Sequence, residues 1–388
     1  MEQKNELMQL RQKIDEIDRQ LVCLFEQRLS VTEQVGNYKK ARNLPVLDAQ
    51  REKQVLAEKA KLVQKEANQT AVADFFEAIM QISRNQQKKI VSQEKKEASQ
   101  WLQPGLREPV KTPRIVFSGE PGAYGEEAAV LYFGQDLPRN RREDFEGVCR
   151  AIVDGQADYG VLPIENSSTG AITAVYDLLA RYGCYIVGEQ VVRVEHCLMA
   201  PEGATLEGIT DVYSHEQGFF QSREFLKKHP EYIQHTMQTT ATAAKYVAEE
   251  GVRTKGAIGS PRAAALYGLT ILQERINFCA ENYTRFVIVS PKPERRPESD
   301  KISALFTVAH ESGSLHRIIS VFAAHGLNLM KLESRPIPGR NWEYLFFVDF
   351  TGALTDDGMA DVLNELKQYA GRLQILGNYP SNVDHEIK

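Results

Sequence analysis

The sequence predicts a multidomain chain of three unlike units: an all-α segment, an α/β segment and a small α+β segment. Three observations carry this. Apolar residues step by three and four through the first part of the chain, the helical period. From Arg114 short apolar runs alternate with helical ones, and after about residue 300 the order becomes strand, helix, strand, strand, helix, strand. At 388 residues the chain exceeds one ordinary core. The expected division is 1–97, 114–290 and 301–380, with polar, proline-bearing tethers at 98–113 and 291–300.

Composition narrows the class. Hydrophobic residues at 42% and charged residues at 26% describe an ordinary soluble globular protein. No apolar run reaches the roughly 18 residues of a membrane span, and the first residues are polar and charged, so the expected location is cytoplasmic. The five cysteines never form a CxxC pair, which argues against a disulfide framework or a zinc site. Residues 1–100 carry 18 Lys and Arg against 15 Asp and Glu, and the remainder is net acidic. That mild imbalance suits a small anionic ligand for the first segment and is too weak for nucleic acid. No metal, cofactor or membrane is expected.

The first helix is expected to run to about Ala41, ahead of Pro45. Its seam passes through Leu7, Leu10, Ile14, Ile17, Leu21 and Leu24, then Val31, Val35 and Tyr38; at position 28 the seam holds an arginine. A second helix starts at Asp48, a suitable N-cap, and a third near Thr70. In the third, the stripe Val72, Phe76, Ile79 continues as Ser83 and Gln87 before Ile90. Arg28 and Lys39 lie about three turns apart on one face. Two cations, an amide and a hydroxyl on packing faces describe a polar pocket for a small dianion with an ether or hydroxyl oxygen. Arg11 lies roughly 25 Å from Arg28 along the same helix at about 1.5 Å per residue. It can reach the same ligand only from another, antiparallel chain, which implies a shared site in an intertwined dimer.

The runs "LRQKIDEID", "EQR", "VGNYKK", "PVLDAQRE" and "SRNQQ" resemble the all-helical chorismate mutase domain over about residues 1–90. The resemblance implies that Arg11 of the second chain and Arg28 hold the two carboxylates of chorismate, with Ser83 on a carboxylate. It implies Lys39 and Gln87 on the ether oxygen, Glu52 with Asp48 on the ring hydroxyl, and Arg51 as support. A Claisen rearrangement to prephenate needs no nucleophile, base or metal, only a dianion held in its reactive fold and donors for the growing charge.

In the second segment, strands are expected at "RIVFSG", "YGVLPI", "YIVGEQVVRV", "DVYSH", "GAIGS" and "RFVIVS". Three loops, "PIENSSTGAI", "QTTATAAKY" and "AIGSPRAAA", place small hydroxyl residues before a helix, an arrangement suited to carboxylates. "GEPGAYGEEAA", "GVLPIENSSTGAI", "VYSHEQGF", "AIGSPRAAALYGL" and "NYTRFVIVS" together resemble prephenate dehydratase across 114–290. That family has two lobes like a periplasmic binding protein. The resemblance implies Thr284 as the catalytic hydroxyl, supported by Arg285, Glu165, Asn166, Ser214 and Gln221, with the turn of Ser168, Thr169 and Gly170 helping to hold prephenate. The hydroxyl would act as general acid on the departing ring oxygen, and Arg285 would pair with the carboxylate that stays. His196 and His215, near strand ends, are read as structural. A non-catalytic binder of small dicarboxylates is the alternative class for such a cleft.

The βαββαβ order of the third segment is that of a ferredoxin-like split unit. Its strands are expected at 301–308, 327–334, 343–350 and 373–379, and its helices at 314–325 and 359–369. "GSLHRIISVFAAHGLNLMKLESRPI" resembles the ACT regulatory domain. The resemblance implies a pocket for L-phenylalanine between paired domains, lined by Gly313, Leu315 and Asn328, with Glu333, Ser334, Arg335 and Pro336 as the reporting element. Ser312 and Ser314 stand where proline and alanine are more usual.

Overall fold

The computed structural model describes residues 2–91 except 43, 45 and 47, residues 105–337 except 280, and residues 339 and 343–382. The chain forms two compact units, Met1–Glu97 and Ala98–Lys388. The first contains α1 (Glu2–Ala41), α2 (Ala49–Lys61) and α3 (Gln69–Val91). Asp48 caps α2 as its sequence position predicts, its side chain accepting from the Arg51 amide at 2.9 Å. Helix α3 lies against the later half of α1, where Gly36 permits the approach: a Cβ there would stand 3.0 Å from Ile90 Cδ1. The earlier half keeps its seam exposed, with Leu7, Leu10, Ile14, Ile17, Leu21 and Leu24 between 44% and 61% accessible.

The second unit begins with β1 (Ile115–Ser118), α4 (Tyr124–Phe133), β2 (Arg139–Arg142), α5 (Phe145–Val153), β3 (Tyr159–Asn166), β4 (Gly170–Ala171), α6 (Thr173–Tyr182) and β5 (Tyr185–Arg193). It continues through β6 (Cys197–Ala200), β7 (Asp211–Ser214), α7 (Glu216–Gln221), α8 (Arg223–Leu226), β8 (Ile233–Thr236), α9 (Thr240–Glu250), β9 (Lys255–Gly259), α10 (Pro261–Tyr267) and β10 (Thr270–Gln273), and returns as β11 (Tyr283–Ser290). Two sheets result, β2-β1-β3-β11-β5 with β4 on β3, and β10-β6-β9-β7-β8. Each is the centre of a lobe, and the chain passes between lobes twice, at 194–196 and 274–282. The two crossings are stitched together: the His196 amide donates to Asn277 Oδ1 at 2.6 Å, Asn277 Nδ2 to the Val194 carbonyl at 3.0 Å, and the Val194 amide to the Asn282 carbonyl at 2.7 Å.

All six strands expected from the apolar runs of this segment form. Those not expected are short or polar. β2 reads Arg-Asn-Arg-Arg on a sheet edge, with Arg139 paired to Glu126 at 3.2 Å and Arg141 paired to Glu120. β8 is likewise a polar edge strand, and such edges carry little apolar signal.

The third segment is β12 (Lys301–Thr307), α11 (Ser314–Ala324), β13 (Leu329–Pro336), β14 (Tyr344–Thr351), α12 (Met359–Tyr369) and β15 (Arg372–Tyr379), the βαββαβ order expected, in a sheet β13-β14-β12-β15. β13 starts two residues later than expected, beyond the Gly326 turn and Asn328, whose amide is held by Thr351 Oγ1 at 3.0 Å. This sheet is not loosely attached. Leu305, Phe347, Leu376 and Tyr379 complete the core that Ile186, Val287 and Val289 begin in the first lobe, and at Gly377 a Cβ would collide with the Ile186 carbonyl.

The segments expected as tethers also dock where they are described. Arg107 and Glu294 pair at 3.1 Å, the Arg107 amide bonds to the Pro293 carbonyl, and Tyr159 Oη donates to Glu294 at 2.5 Å. Glu294 is fully enclosed, and a buried charge with these partners fixes the strand. Residues 92–104 lie outside the described part.

Candidate functional site

The helical unit encloses a cavity of about 290 Å³ lined by Arg28, Thr32, Lys39, Asp48, Arg51, Ser83, Arg84 and Gln87, with Val31, Val35, Val46, Val55 and Met80. Arg28 answers to its odd seam position: it turns inward and donates to the Ser83 hydroxyl, which in turn donates to the Ile79 carbonyl at 2.8 Å. Burial lowers the guanidinium pKa, and no carboxylate pairs with it among the described residues. An anion entering the cavity would supply that missing partner. Lys39 Nζ bonds to the Val46 carbonyl at 2.6 Å, and the buried Gln87 amide oxygen has no partner among the described residues.

Six of the eight residues expected in this unit therefore face one cavity. The Glu52 side chain lies outside the described residues. Arg11 is exposed and does not line the cavity. Thr32 and Arg84 line it without having been singled out. Thr32 sits four residues after Arg28 on the same face and donates to its carbonyl at 2.9 Å, a spacing that could have flagged it.

In the α/β unit, β11 brings Thr284 opposite Asn166 of β3, and Arg285 opposite Glu165. Neighbours along a strand point to opposite faces, so the two pairs part company. Thr284 turns to the cleft side. Its hydroxyl oxygen accepts from Asn166 Nδ2 at 2.9 Å, while Asn166 Oδ1 gathers the amides of Ser168 and Thr169 at 3.0 and 3.2 Å and the Ser168 hydroxyl at 2.6 Å. With one lone pair engaged by Asn166, the Thr284 hydroxyl retains its proton for donation. From the second lobe Gln221 Nε2 reaches Ser168 Oγ at 3.2 Å, and Gln221 Oε1 meets His196 Nε2 at 2.8 Å. Burial pushes the His196 imidazole down to about 4, with the Gln221 bond opposing. It is neutral at physiological pH, and Nε2 must carry the proton to satisfy Gln221.

Arg285 and Glu165 turn the other way. Arg285 Nε meets Glu165 at 2.7 Å, Nη1 meets Glu189 at 3.0 Å and Nη2 meets Asp349 of β14 at 2.8 Å. With each of its three nitrogens on a carboxylate and the residue buried, Arg285 is held away from the Thr284–Asn166 pair. Ser214 is wholly buried and donates to the Ile258 carbonyl of β9 at 2.9 Å, so its hydroxyl is engaged within the second lobe. Gly170 is left-handed, at φ 84°, closing the turn that Asn166 organises. His215 caps α7, its Nδ1 accepting from the Gln217 amide at 3.1 Å.

In the third segment Gly313 takes φ 78° immediately before α11, and Leu315 packs against the domain core. Ser314 donates to the Glu311 carbonyl at 2.9 Å, so this departure from the usual residue is absorbed locally. Glu333, Ser334, Arg335 and Pro336 lie on the edge strand β13, and Arg335 Nη2 binds Asp177 of α6 at 2.7 Å.

Comparison with known proteins matches each part to a family: chorismate mutase type II at residues 10–88, prephenate dehydratase at 115–294 and the ACT domain at 302–368. A bifunctional chorismate mutase/prephenate dehydratase of Escherichia coli is 32% identical over 98% of both chains. Among solved structures, prephenate dehydratase of Arthrobacter aurescens, in complex with L-Phe, is 30% identical with a TM-score of 0.63, covering 69% of this chain and 90% of that one. GqqA, described as a novel type of quorum quenching acylase, is 31% identical with a TM-score of 0.64, covering 70% and 98%. With its helical, two-lobed and βαββαβ parts in the same order as the full-length relatives, the chain belongs to the bifunctional chorismate mutase/prephenate dehydratase family.

Proposed function

We infer that this chain converts chorismate to prephenate in its helical unit and prephenate to phenylpyruvate in its α/β unit, with L-phenylalanine as feedback inhibitor through the ACT domain. The observation that carries the reading is the Thr284–Asn166 pair: a hydroxyl whose oxygen is held from behind, leaving its proton for the departing ring hydroxyl as carbon dioxide leaves. Aromatisation drives that step, so a weak acid correctly placed suffices. In the helical cavity, Arg28 and Ser83 meet carboxylate, Lys39 and Gln87 the breaking ether bond, and Asp48, Glu52 and Arg51 the remainder of the ligand. Fixed donors aimed at growing charge are all that the rearrangement requires.

Arg11 completes the cavity only from a second copy. The exposed apolar half of α1 supports such an intertwined homodimer, since a continuous apolar stripe of this length is a protein-binding surface. Its antiparallel partner would carry Arg11 to the Arg28 end. The boundaries 1–97, 114–290 and 301–380 are supported by the positions of the three family matches. Among the described residues no helix is long and apolar enough to cross a membrane.

Incubating purified protein with chorismate should yield phenylpyruvate, with prephenate as the transient species. Added phenylalanine should suppress the second step. Accumulation of prephenate without phenylpyruvate would refute the dehydratase half, and turnover of arogenate in its place would reassign the substrate.

A further inference from the structure

Behind the Thr284 site lies a buried cluster that spans two domains. Arg285 joins Glu165 of β3, Glu189 of β5 and Asp349 of β14. Each carboxylate is held again from its far side: Glu165 by Lys331 of β13, Glu189 by Lys301 of β12 at 2.6 Å, and Asp349 by the Ser303 hydroxyl at 2.6 Å. Three cations and three carboxylates thus balance. Four of the groups, Asp349, Lys301, Lys331 and Ser303, belong to the C-terminal sheet. Burial disfavours charge on Glu165, but Arg285 and Lys331 outweigh it and hold the carboxyl below its usual range.

Two members of this cluster are chain neighbours of the two residues that form the site. Thr284 and Arg285 are consecutive on β11, Asn166 and Glu165 on β3, and the pairs sit side by side in the ladder. A backbone displacement that separates Arg285 from Glu165 is shared by Thr284 and Asn166, their neighbours in the same ladder. We propose that Asp349 and Lys331 of the C-terminal domain are positioning residues of the dehydratase. They set the Arg285–Glu165 pair and thereby the placement of the Thr284 hydroxyl. Lys331 shares β13 with Arg335, so the strand that reaches Asp177 of the first lobe also reaches the back of the site. The C-terminal sheet is in this sense one wall of the dehydratase, and displacement of β13 is communicated to Thr284 through two ion pairs.

The inference rests on the dehydratase reading above, and the test separates the two. Full-length Asp349→Asn and Lys331→Met proteins are assayed with chorismate and with prephenate, beside wild type. Expected is a fall in dehydratase kcat of about tenfold or more with KM within about threefold, since an interaction felt only in the reactive arrangement is lost. Mutase rate should be unchanged. The phenylalanine concentration for half-inhibition should move by at least about fivefold, a shift that partial loss of folded molecules would not produce. The double variant should lose less than the product of the two single losses, as members of one network do. If Asp349→Asn does not fold, Ser303→Ala, which keeps every charge, decides by the same two readouts with a smaller effect. Wild-type turnover with unaltered kcat and phenylalanine response in the folded variants overturns the inference alone. Absence of turnover in wild type overturns the dehydratase reading and the inference with it.

Discussion

Single residues carry the chemistry, and their surroundings say how each responds to change. Thr284→Ala should abolish phenylpyruvate formation and leave the mutase within about twofold, because the helical unit is compact by itself; parallel assays of both steps check this. Gln87→Glu should lose mutase activity at pH 7 and above and regain part of it in acid. An ionised carboxylate accepts only, and one lost donor costs about 2.7 to 4 kcal/mol of barrier. Gln87→Leu should stay poor at every pH, and identical profiles for the two would assign Gln87 to packing. His196 gives a stability signature. Its folded pKa of about 4 lies below the ordinary 6.5, so between those values the unfolded chain binds more protons and stability rises with pH. The contribution, about 3 kcal/mol by linkage, is complete above pH 6.5 and lost as pH falls toward 4. Denaturant titrations of wild type and His196→Gln should converge across that window. Much of this was legible in sequence: Arg28, Ser83 and Gln87 stood out because polar residues interrupted apolar stripes. Arg285 was not, because periodicity places it beside Thr284 in the chain while the pleat turns it to the other face, toward Asp349 of the C-terminal domain, 64 residues further on.

At the scale of elements, α1 does two jobs along its length. Its later half packs on α3 and frames the cavity; its earlier half offers Leu7 to Leu24 to solvent. If a second copy covers that half, Arg11→Ala and Arg28→Ala proteins, each inactive as mutase, should recover about a quarter of wild-type activity after subunit exchange, since half the dimers are mixed and each has one intact site. Exchange proved by labelled subunits, without recovery, would rule out the shared site. Helices and buried strands were readable because each repeats an apolar pattern over several residues. The edge strands β2 and β8 and the four-residue β6 were not, since they rest on ion pairs or on burial too short to show a period.

For the whole molecule, the order of the parts was readable and their attachment was not. The prolines and charges of 291–300 suggest a free connection, yet Glu294, Arg107 and Tyr159 bind that segment to the first lobe. Removal of residues 300–388 is therefore expected to do more than abolish the phenylalanine response. It strips the apolar face over Ile186 and Val287 and leaves Arg285 and Glu189 without Asp349 and Lys301. Each broken buried pair costs about 3 to 5 kcal/mol against a total near 5 to 15. The truncated chain should keep its mutase and lose a folded dehydratase; a soluble, active, merely insensitive dehydratase would contradict this. Where β15 meets β5 the backbone of Gly377 lies directly on the Ile186 carbonyl. Every other amino acid carries a Cβ, so any heritable change of that codon to another residue wedges the sheets apart at a residue that carries no chemistry. A Gly377→Ala protein is therefore expected to keep its mutase and lose dehydratase stability, so that prephenate accumulates from chorismate.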